Sequence, residues 1–151
     1  IVAVYLNAIA DMNQRGIPQW DEIYPTEAIL RDDLARGELY VADVDGAVQG
    51  AVVLNETCDP AYGSAAWVYG GPYVIVHRLC VSPSAQGAGV GRALMGEVET
   101  WAKAHGYADV RLDAFSLNPH ALRMYQKLGY EKRGEANWRK GLFYLLEKPV
   151  G

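Results

Sequence analysis

The order of apolar patterns along the chain predicts a mixed α+β fold. A β-hairpin pattern surrounds the Asp45-Gly46 pair, and a strand–helix–strand–helix order follows between 73 and 129. Two apolar strands then close the chain. Because 151 residues without repeats or linkers are typical of one domain, we expect a single domain over residues 1–151.

The first half of the chain alternates between helical and strand patterns. Apolar residues recur at helical spacing from Val2 to Met12, and Thr26 is placed to cap a second, short helix that ends near Gly37. The hairpin comes next, with one strand on each side of its turn. Residues 57–72 are rich in Gly, Pro, Ala and Ser, so we expect a loop there.

The second half carries clear signals for each element. The segment YVIVHRLCV, residues 73–81, predicts a strand that is buried on both faces. A helix follows the glycine cluster and ends at Gly106, and a further strand is expected at 109–115. Asn118 and Pro119 stand in the order of an N-cap and a first helical turn, which predicts the last helix. The two closing strands are expected to pair antiparallel.

Composition excludes some classes of function. The formal net charge of -4 offers no basic surface for nucleic acid. No apolar run is long enough to span a bilayer and no secretory leader is present, so we expect no membrane association. Cys58 and Cys80 are too few for a disulfide framework and lack metal-site spacing, so we expect no metal and a cytoplasmic location. Ile1 already belongs to a helical pattern, so the natural N-terminus is expected upstream.

Ten residues, SPSAQGAGVG at 82–91, place three glycines between a strand and a helix. A loop in this position aims several main-chain N–H groups and the positive end of the helix dipole at one point, which suits a phosphate. A P-loop is excluded because no lysine follows the glycines. A dinucleotide fingerprint fits poorly, because five residues separate Val81 from Gly87. A flexible turn is the alternative.

Two segments together resemble the GNAT superfamily of acetyl-CoA-dependent N-acetyltransferases. The first, VHRLCVSPSAQGAGVGRALM, contains the family signature Gln/Arg-x-x-Gly-x-Gly/Ala at 86–91. The second, LDAFSLNPHALRMYQKLGYEKRG, has the family's order of a strand, an Asn near a helix start, a Tyr and then Leu-Gly-Tyr. Both segments occur in the family's order and at ordinary separation.

The resemblance implies a more detailed fold. A GNAT-like domain has a three-layer α/β arrangement, with a mostly antiparallel central sheet and helices on both faces. It also has a splayed parallel strand pair, which corresponds here to 73–81 and 109–115. The family's first strand would precede Ile1, and a second copy of the chain, in a homodimer, is one candidate to cover the sheet edge exposed without it.

The resemblance also implies where acetyl-CoA would bind. Its diphosphate would bind main-chain amides of the glycine loop, and its pantetheine arm would pair with the backbone of the central strand. Arg92 would add positive charge, with a solvated helix residue as the alternative interpretation. The implied contact residues are Leu79, Cys80, Val81, Gln86, Gly87, Ala88, Gly89, Val90, Gly91, Arg92, Asn118 and Tyr125.

Acetyl transfer to an amine needs a base, an oxyanion donor and an acid. His77 is the candidate base, because histidine has an ordinary pKa of ~6.5; a core histidine is the alternative, and relatives also use glutamate or water. Tyr125 is the candidate acid, because a phenol stays protonated at pH 7; a buried aromatic is the alternative. A main-chain N–H near Leu79 or Cys80 would meet the oxyanion. Because a cysteine in an apolar strand is usually inert, no acetyl-cysteine is expected.

The acceptor site is expected in the loop after the first helix, which lies over the acceptor end of the cleft in the family. Trp20, Asp21, Glu22 and Tyr24 combine carboxylates with aromatic rings, which suits a cationic amine. The alternative is that Trp20 and Tyr24 anchor the loop to the core while the acids are solvated.

These residues predict an acetyl-CoA:amine N-acetyltransferase that acts on a small molecule. One alternative is acetylation of a protein N-terminus or a lysine, and another is an acyl-CoA sensor without turnover. A dinucleotide-binding fragment, with Asp109 or Asp113 as its acidic residue, is a more distant alternative.

Overall fold

The α-helices and β-strands of the fold lie where the sequence predicted them. The computed structural model describes residues 1–21, 24–85, 87 and 89–151, apart from the side chain of Val2. In these residues the helices are α1 (Val2–Gln14), α2 (Glu27–Ala35), α3 (Val90–Ala104) and α4 (Pro119–Lys127). The strands are β1 (Leu39–Val44), β2 (Ala47–Asn55), β3 (Tyr73–Val81), β4 (Asp109–Phe115), β5 (Glu131–Trp138) and β6 (Gly141–Pro149).

The strands form a mixed sheet, which confirms the predicted fold class. The strand order is β1-β2-β3-β4-β6-β5. The register of the parallel pair aligns Tyr73–Val76 of β3 with Asp109–Leu112 of β4. The pairs β1-β2, β4-β6 and β5-β6 are antiparallel.

Local side-chain chemistry explains several element boundaries. The Thr26 hydroxyl and the Asn118 side-chain oxygen each accept a hydrogen bond from the backbone N–H three residues on, so each caps its helix as expected. Asp45 and Gly46 have φ angles of 54° and 83°. Left-handed conformations at both central residues are what a two-residue hairpin turn of type I′ requires.

The segment 57–72 is more ordered than a plain loop. A short 3₁₀ helix covers Pro60–Ser64, and the Asp59 carboxylate accepts the N–H of Ala61 at its start. Tyr62 is buried, and its hydroxyl donates to Asp113 at 2.7 Å. The loop prediction was incomplete because the Gly and Pro content of the segment does not reveal the burial of one aromatic residue.

The chain divides into two compact units, of which the first comprises residues 1–54 and 77–95. Ala51 of β2 packs in a core cluster with α1 and α2, whereas a Cβ on Gly50 would meet Val90 and Leu94 of α3. Because successive strand residues face opposite sides, helices cover both faces of β2, as predicted. The buried members of the cluster are Val4, Tyr5, Ala8, Trp20, Leu30, Ala51 and Cys80.

The second unit, residues 55–76 and 96–151, buries charged groups as well as apolar ones. Glu147 and Asp109 are both 0% exposed. The Glu147 carboxylate accepts from Nε of Arg133 at 2.6 Å and from the backbone N–H of Val68 at 2.8 Å. Nε of Arg111 donates to Asp109 at 2.9 Å. An ion network therefore supports the β4–β6 side of this unit.

Candidate active site

The loop between β3 and α3 has a backbone suited to an anion. Gly87 and Gly89 have φ angles of 84° and 81°, a region that residues with a Cβ rarely adopt. A Cβ at either position would meet nothing within 4 Å, so the loop is open there. The carbonyl of Gly89 accepts from the N–H of Ala93 at 2.9 Å, so the N–H groups of the first turn have no acceptor within α3. Gln86 and Ala88 lie outside the described residues.

The first turn of α3 adds to this anion-binding character. Val90, Gly91 and Arg92 follow the loop directly, and the Arg92 side chain is exposed. The helix dipole places partial positive charge at this end, and a guanidinium group nearby strengthens it. Main-chain donors, an open surface and an available cation are the features that a diphosphate group needs, so the residues present fit coenzyme A.

The second half of β3, residues 77–81, contains the predicted base and the main-chain N–H groups predicted to bind the oxyanion. His77, Leu79 and Val81 are half-buried, and Cys80 is buried. Burial raises the pKa of the Cys80 thiol to about 12, so the thiol stays protonated at neutral pH. This state agrees with the expectation that no acetyl-cysteine forms.

Arg78, between His77 and Leu79, was missed as a functional candidate by the sequence reasoning. Its φ angle is 51°, a left-handed conformation inside a strand. Its guanidinium donates to both carboxylate oxygens of Asp33, at 2.9 and 2.6 Å, and to the hydroxyl of Tyr24 at 2.7 Å. The sequence did contain a signal for this role, because Arg78 is a charged residue within the otherwise mostly apolar run YVIVHRLCV.

The predicted acceptor loop is tied to the core of the first unit. Trp20 is 7% exposed, and its ring centroid lies 5.7 Å from that of Tyr5, which matches the alternative that Trp20 anchors the loop. The Asp21 carboxylate accepts the N–H of Tyr24 at 3.2 Å, and the Asp21 N–H donates to the Tyr24 carbonyl at 3.0 Å. Tyr24 itself is 36% exposed. Glu22 lies outside the described residues.

The remaining candidates, Asn118 and Tyr125, belong to the second unit. Tyr125 is buried on α4, and its ring meets that of Tyr130 edge-on at 5.7 Å. Burial first, and then the negative charge of Asp113, raise the pKa of Tyr125 well above its ordinary value. The phenol is therefore protonated at neutral pH, as a general acid must be, and its burial also agrees with a purely structural aromatic.

The family is decided by comparison with known sequences. A model of the acetyltransferase (GNAT) family matches residues 6–130. The chain belongs to the GNAT family. The resemblance inferred from the two motifs is thereby confirmed.

The GNAT relatives with curated names are N-acetyltransferases. The chain is 31% identical over 125 residues to N-acetyltransferase 8F1 of Rattus norvegicus, a match that covers 77% of this chain and 52% of the relative. It is 32% identical over 97 residues to N-acetyltransferase 8 of Mus musculus, covering 64% of this chain and 40% of the relative. The chain thus spans about half or less of the length of these relatives.

Solved GNAT structures share the fold at low sequence identity. A GNAT-family acetyltransferase from Streptococcus agalactiae matches with a TM-score of 0.85 at 21% identity, over 98% of this chain and 87% of the other. The PaiA N-acetyltransferase of Thermoplasma acidophilum, in complex with coenzyme A, matches with a TM-score of 0.72 at 16% identity, over 98% and 89%. These likenesses confirm the GNAT-like fold.

Two further properties concern the described part of the chain. None of its helices is long and apolar enough to cross a bilayer. It also contains no group of three or more His, Cys, Asp or Glu side chains arranged to hold a metal ion.

Proposed function

We propose that this GNAT-family chain transfers the acetyl group of acetyl-CoA directly to a primary amine of a small molecule. The observation that supports it most is the loop before α3, where Gly87 and Gly89 are left-handed and open to incoming groups. This backbone presents N–H donors at a helix N-terminus, which is the environment that a diphosphate prefers. Family membership supplies the chemistry that such a site would serve.

Acetyl-CoA, when bound, supplies the acetyl group as an activated thioester. Main-chain N–H groups of residues 86–91 bind the diphosphate, and Arg92 adds positive charge. The backbone of β3 at Leu79 and Val81 pairs with the pantetheine arm, and Cys80 takes part through its main chain. Asn118 is carried over as a contact from the family motif that it matches.

Proton transfer is assigned to two side chains. An alkylammonium group has a pKa of ~10.4, so an acceptor amine must lose a proton before it attacks. His77 accepts that proton, and Tyr125 donates one to the departing thiolate. The raised pKa keeps Tyr125 protonated at neutral pH, so it starts the reaction as an acid and not as a base. The raised pKa of the Cys80 thiol favours direct transfer over an acetyl-cysteine route.

A small cationic amine is the proposed acceptor. Asp21 and Tyr24 place a carboxylate and a partly exposed aromatic ring in one short loop, which suits an ammonium group. Trp20 supports this loop from within the core. A reducing compartment, the cytoplasm, is proposed from the two free cysteines, Cys58 and Cys80.

A two-step measurement tests the proposal. Calorimetric titration with acetyl-CoA is followed, in the same sample, by thiol release on adding small amines, a peptide with a free N-terminus and a lysine peptide. Release with small amines alone is the expected result. Release with peptides alone would replace the small-molecule acceptor by a protein, and binding without release to any of them would indicate a sensor.

Two matched glycine substitutions test the site of binding. Gly89→Ala forces a side chain onto a backbone at φ 81°, so we expect acetyl-CoA to bind at least about tenfold more weakly as the loop amides turn away. Gly46→Ala is the control, because Gly46 has a φ of 83° and equally open space but lies in the hairpin turn. Equal affinities of the two variants would remove the glycine loop from the binding site.

The two proton-transfer roles are tested separately. Tyr125→Phe should lower kcat by about 100-fold with acetyl-CoA affinity nearly unchanged, because only the proton donor is lost.

His77→Gln should lower kcat most at low pH, where neutral amine is scarcest. Full turnover of the first variant, or an unchanged pH–rate profile of the second, would leave the residue concerned with a structural role alone.

A further inference from the structure

Arg78 has a backbone conformation that its side chain and its neighbours hold in place. A residue with a Cβ at a φ of 51° is strained, and such residues persist only where surrounding contacts determine them. The Arg78 carbonyl accepts a hydrogen bond from the hydroxyl of Tyr5 at 2.6 Å. Both the main chain and the side chain of this residue are therefore fixed by groups from other elements.

The main side-chain partner, Asp33, lies on α2 and is itself enclosed. The two carboxylate oxygens of Asp33 receive two separate guanidinium N–H groups, a bidentate arrangement that fixes orientation as well as distance. The side chains of Arg78 and Asp33 are 12% and 7% exposed. Water therefore cannot readily replace either partner.

The same guanidinium also reaches the acceptor loop. Its third donor, Nη1, binds the hydroxyl of Tyr24 at 2.7 Å, and its carbon lies 5.8 Å from the centre of that ring. One side chain thus joins β3 to α2 and to the loop that contains Asp21 and Tyr24. Along the chain, Arg78 stands directly between His77, the candidate base, and Leu79, a candidate source of the oxyanion donor.

We propose that Arg78 is a positioning residue: its bidentate pair with Asp33 holds the left-handed turn of β3, and this turn aims the main-chain N–H groups that follow it, at Leu79 and Cys80, toward the acetyl carbonyl. The inference rests on the proposed acetyl transfer. The effect on the reaction arises because preorganised donors stabilise developing charge only when they are held in place. A displacement of about 1 Å of such groups is enough to lower a rate by about 100-fold.

Two neighbouring carboxylates on α2 provide a matched test. Asp33→Asn weakens the pair with Arg78, whereas Asp32→Asn removes an exposed pair with Arg36 on the same helix. We expect Asp33→Asn to lower kcat, with the best amine of the panel, by about 10- to 100-fold, while Kd for CoA, which lacks the acetyl group, stays within about threefold. Asp32→Asn should leave both unchanged.

A second variant and a second readout keep the inference testable if Asp33→Asn folds poorly. Arg78→Lys retains the positive charge but loses the guanidinium group that donates two hydrogen bonds to Asp33. Its kcat should therefore lie between those of the wild type and Asp33→Asn. Backbone hydrogen exchange over residues 77–81 should be faster in Asp33→Asn and Arg78→Lys and unchanged in Asp32→Asn.

The outcomes separate this inference from the proposed function. If kcat of Asp33→Asn and Arg78→Lys equals that of the wild type, the positioning role is overturned even where exchange is faster. If the wild-type chain releases no thiol with any amine, the proposed function fails on its own. Hydrogen exchange then decides whether the pair holds the turn, and unchanged exchange over 77–81 overturns the inference.

Discussion

The two compact units both bury ion pairs, but they use them differently. In the first unit, the ion pair with Asp33 holds Arg78, a residue with a strained backbone in the strand that also carries His77. In the second unit, Glu147 and its arginine partners lie on β-strands, and none of these residues has a left-handed backbone. The comparison indicates that buried charge supports a strained strand segment beside the candidate base in one unit and regular sheet structure in the other.

The buried arginines of the two units also contact different kinds of neighbours. Arg78 reaches the loop that contains candidate acceptor residues, through Tyr24. The guanidinium carbon of Arg111 instead lies 4.4 Å from the centre of the Trp67 ring and 4.1 Å from that of Tyr73. Perturbing the second network should therefore change stability without changing acetyl-CoA affinity, whereas perturbing the first should change the reaction.

Glu147→Gln should reduce the stability of the folded chain more than any other substitution considered. The substitution leaves Arg133 without its buried carboxylate partner, and breaking a buried pair in this way costs about 3–5 kcal/mol of stability. Urea unfolding measures the loss, and calorimetry on the folded variant should give the wild-type Kd for acetyl-CoA. Glu135→Gln is the control, because Glu135 forms an exposed pair with Lys132 and should change stability by less than about 0.5 kcal/mol. A loss of affinity in Glu147→Gln would remove the distinction between the units.

The contact between Asp109 and Glu147 should make the stability of the folded chain depend on pH. Asp109 Oδ1 and Glu147 Oε2 are buried, and neither has a hydrogen-bond partner while both groups are ionised. Burial, followed by the hydrogen bond to Glu147, raises the pKa of Asp109 to about 7. A proton shared between the two carboxyl groups would give both oxygens a partner, with Arg111 and Arg133 offsetting the remaining charge.

This proton makes stability depend on pH in a defined direction. The unfolded chain releases the Asp109 proton near pH 3.9, so between about pH 4 and 7 the folded state binds one more proton. The free energy of unfolding should then fall by up to about 1.4 kcal/mol per pH unit as the pH rises through this window. Asp109→Asn keeps a hydrogen-bond donor toward Glu147 and should lose this slope. Parallel profiles of the two proteins in urea unfolding between pH 5 and 7 would contradict the shared proton.

The smallest expected effect comes from Tyr24→Phe. The change removes one hydrogen bond from Arg78 but leaves both bonds to Asp33, and water can reach the partly exposed site. Stability should fall by only about 0.5–1 kcal/mol in thermal or urea unfolding. A loss in Tyr24→Phe larger than that in Asp33→Asn, both measured by urea unfolding, would show that the tyrosine contributes more than the carboxylate to holding Arg78.

Features that depend on neighbours a few residues away were predictable from the sequence. The hairpin turn at Asp45-Gly46 and the caps at Thr26 and Asn118 follow from backbone requirements that only a few residue types meet. The glycine loop and the family motifs belong to the same class of local signal. The ordered turn at Pro60–Ser64 was missed, because it depends on burying Tyr62 against distant strands.

The order of the elements, the mixed sheet, the family and the position of the glycine loop could be predicted, because each is encoded by periodicity or by residues within one short segment. The enclosure of Trp20 in the core and the contacts of Arg78 with Asp33 and Tyr5, which are 45 and 73 positions away along the chain, became visible only in the tertiary structure. It likewise brought together the buried carboxyl groups of Asp109 and Glu147. The free energy of burying a charge or an indole ring depends on partners from distant segments, and periodicity and local motifs do not identify those partners.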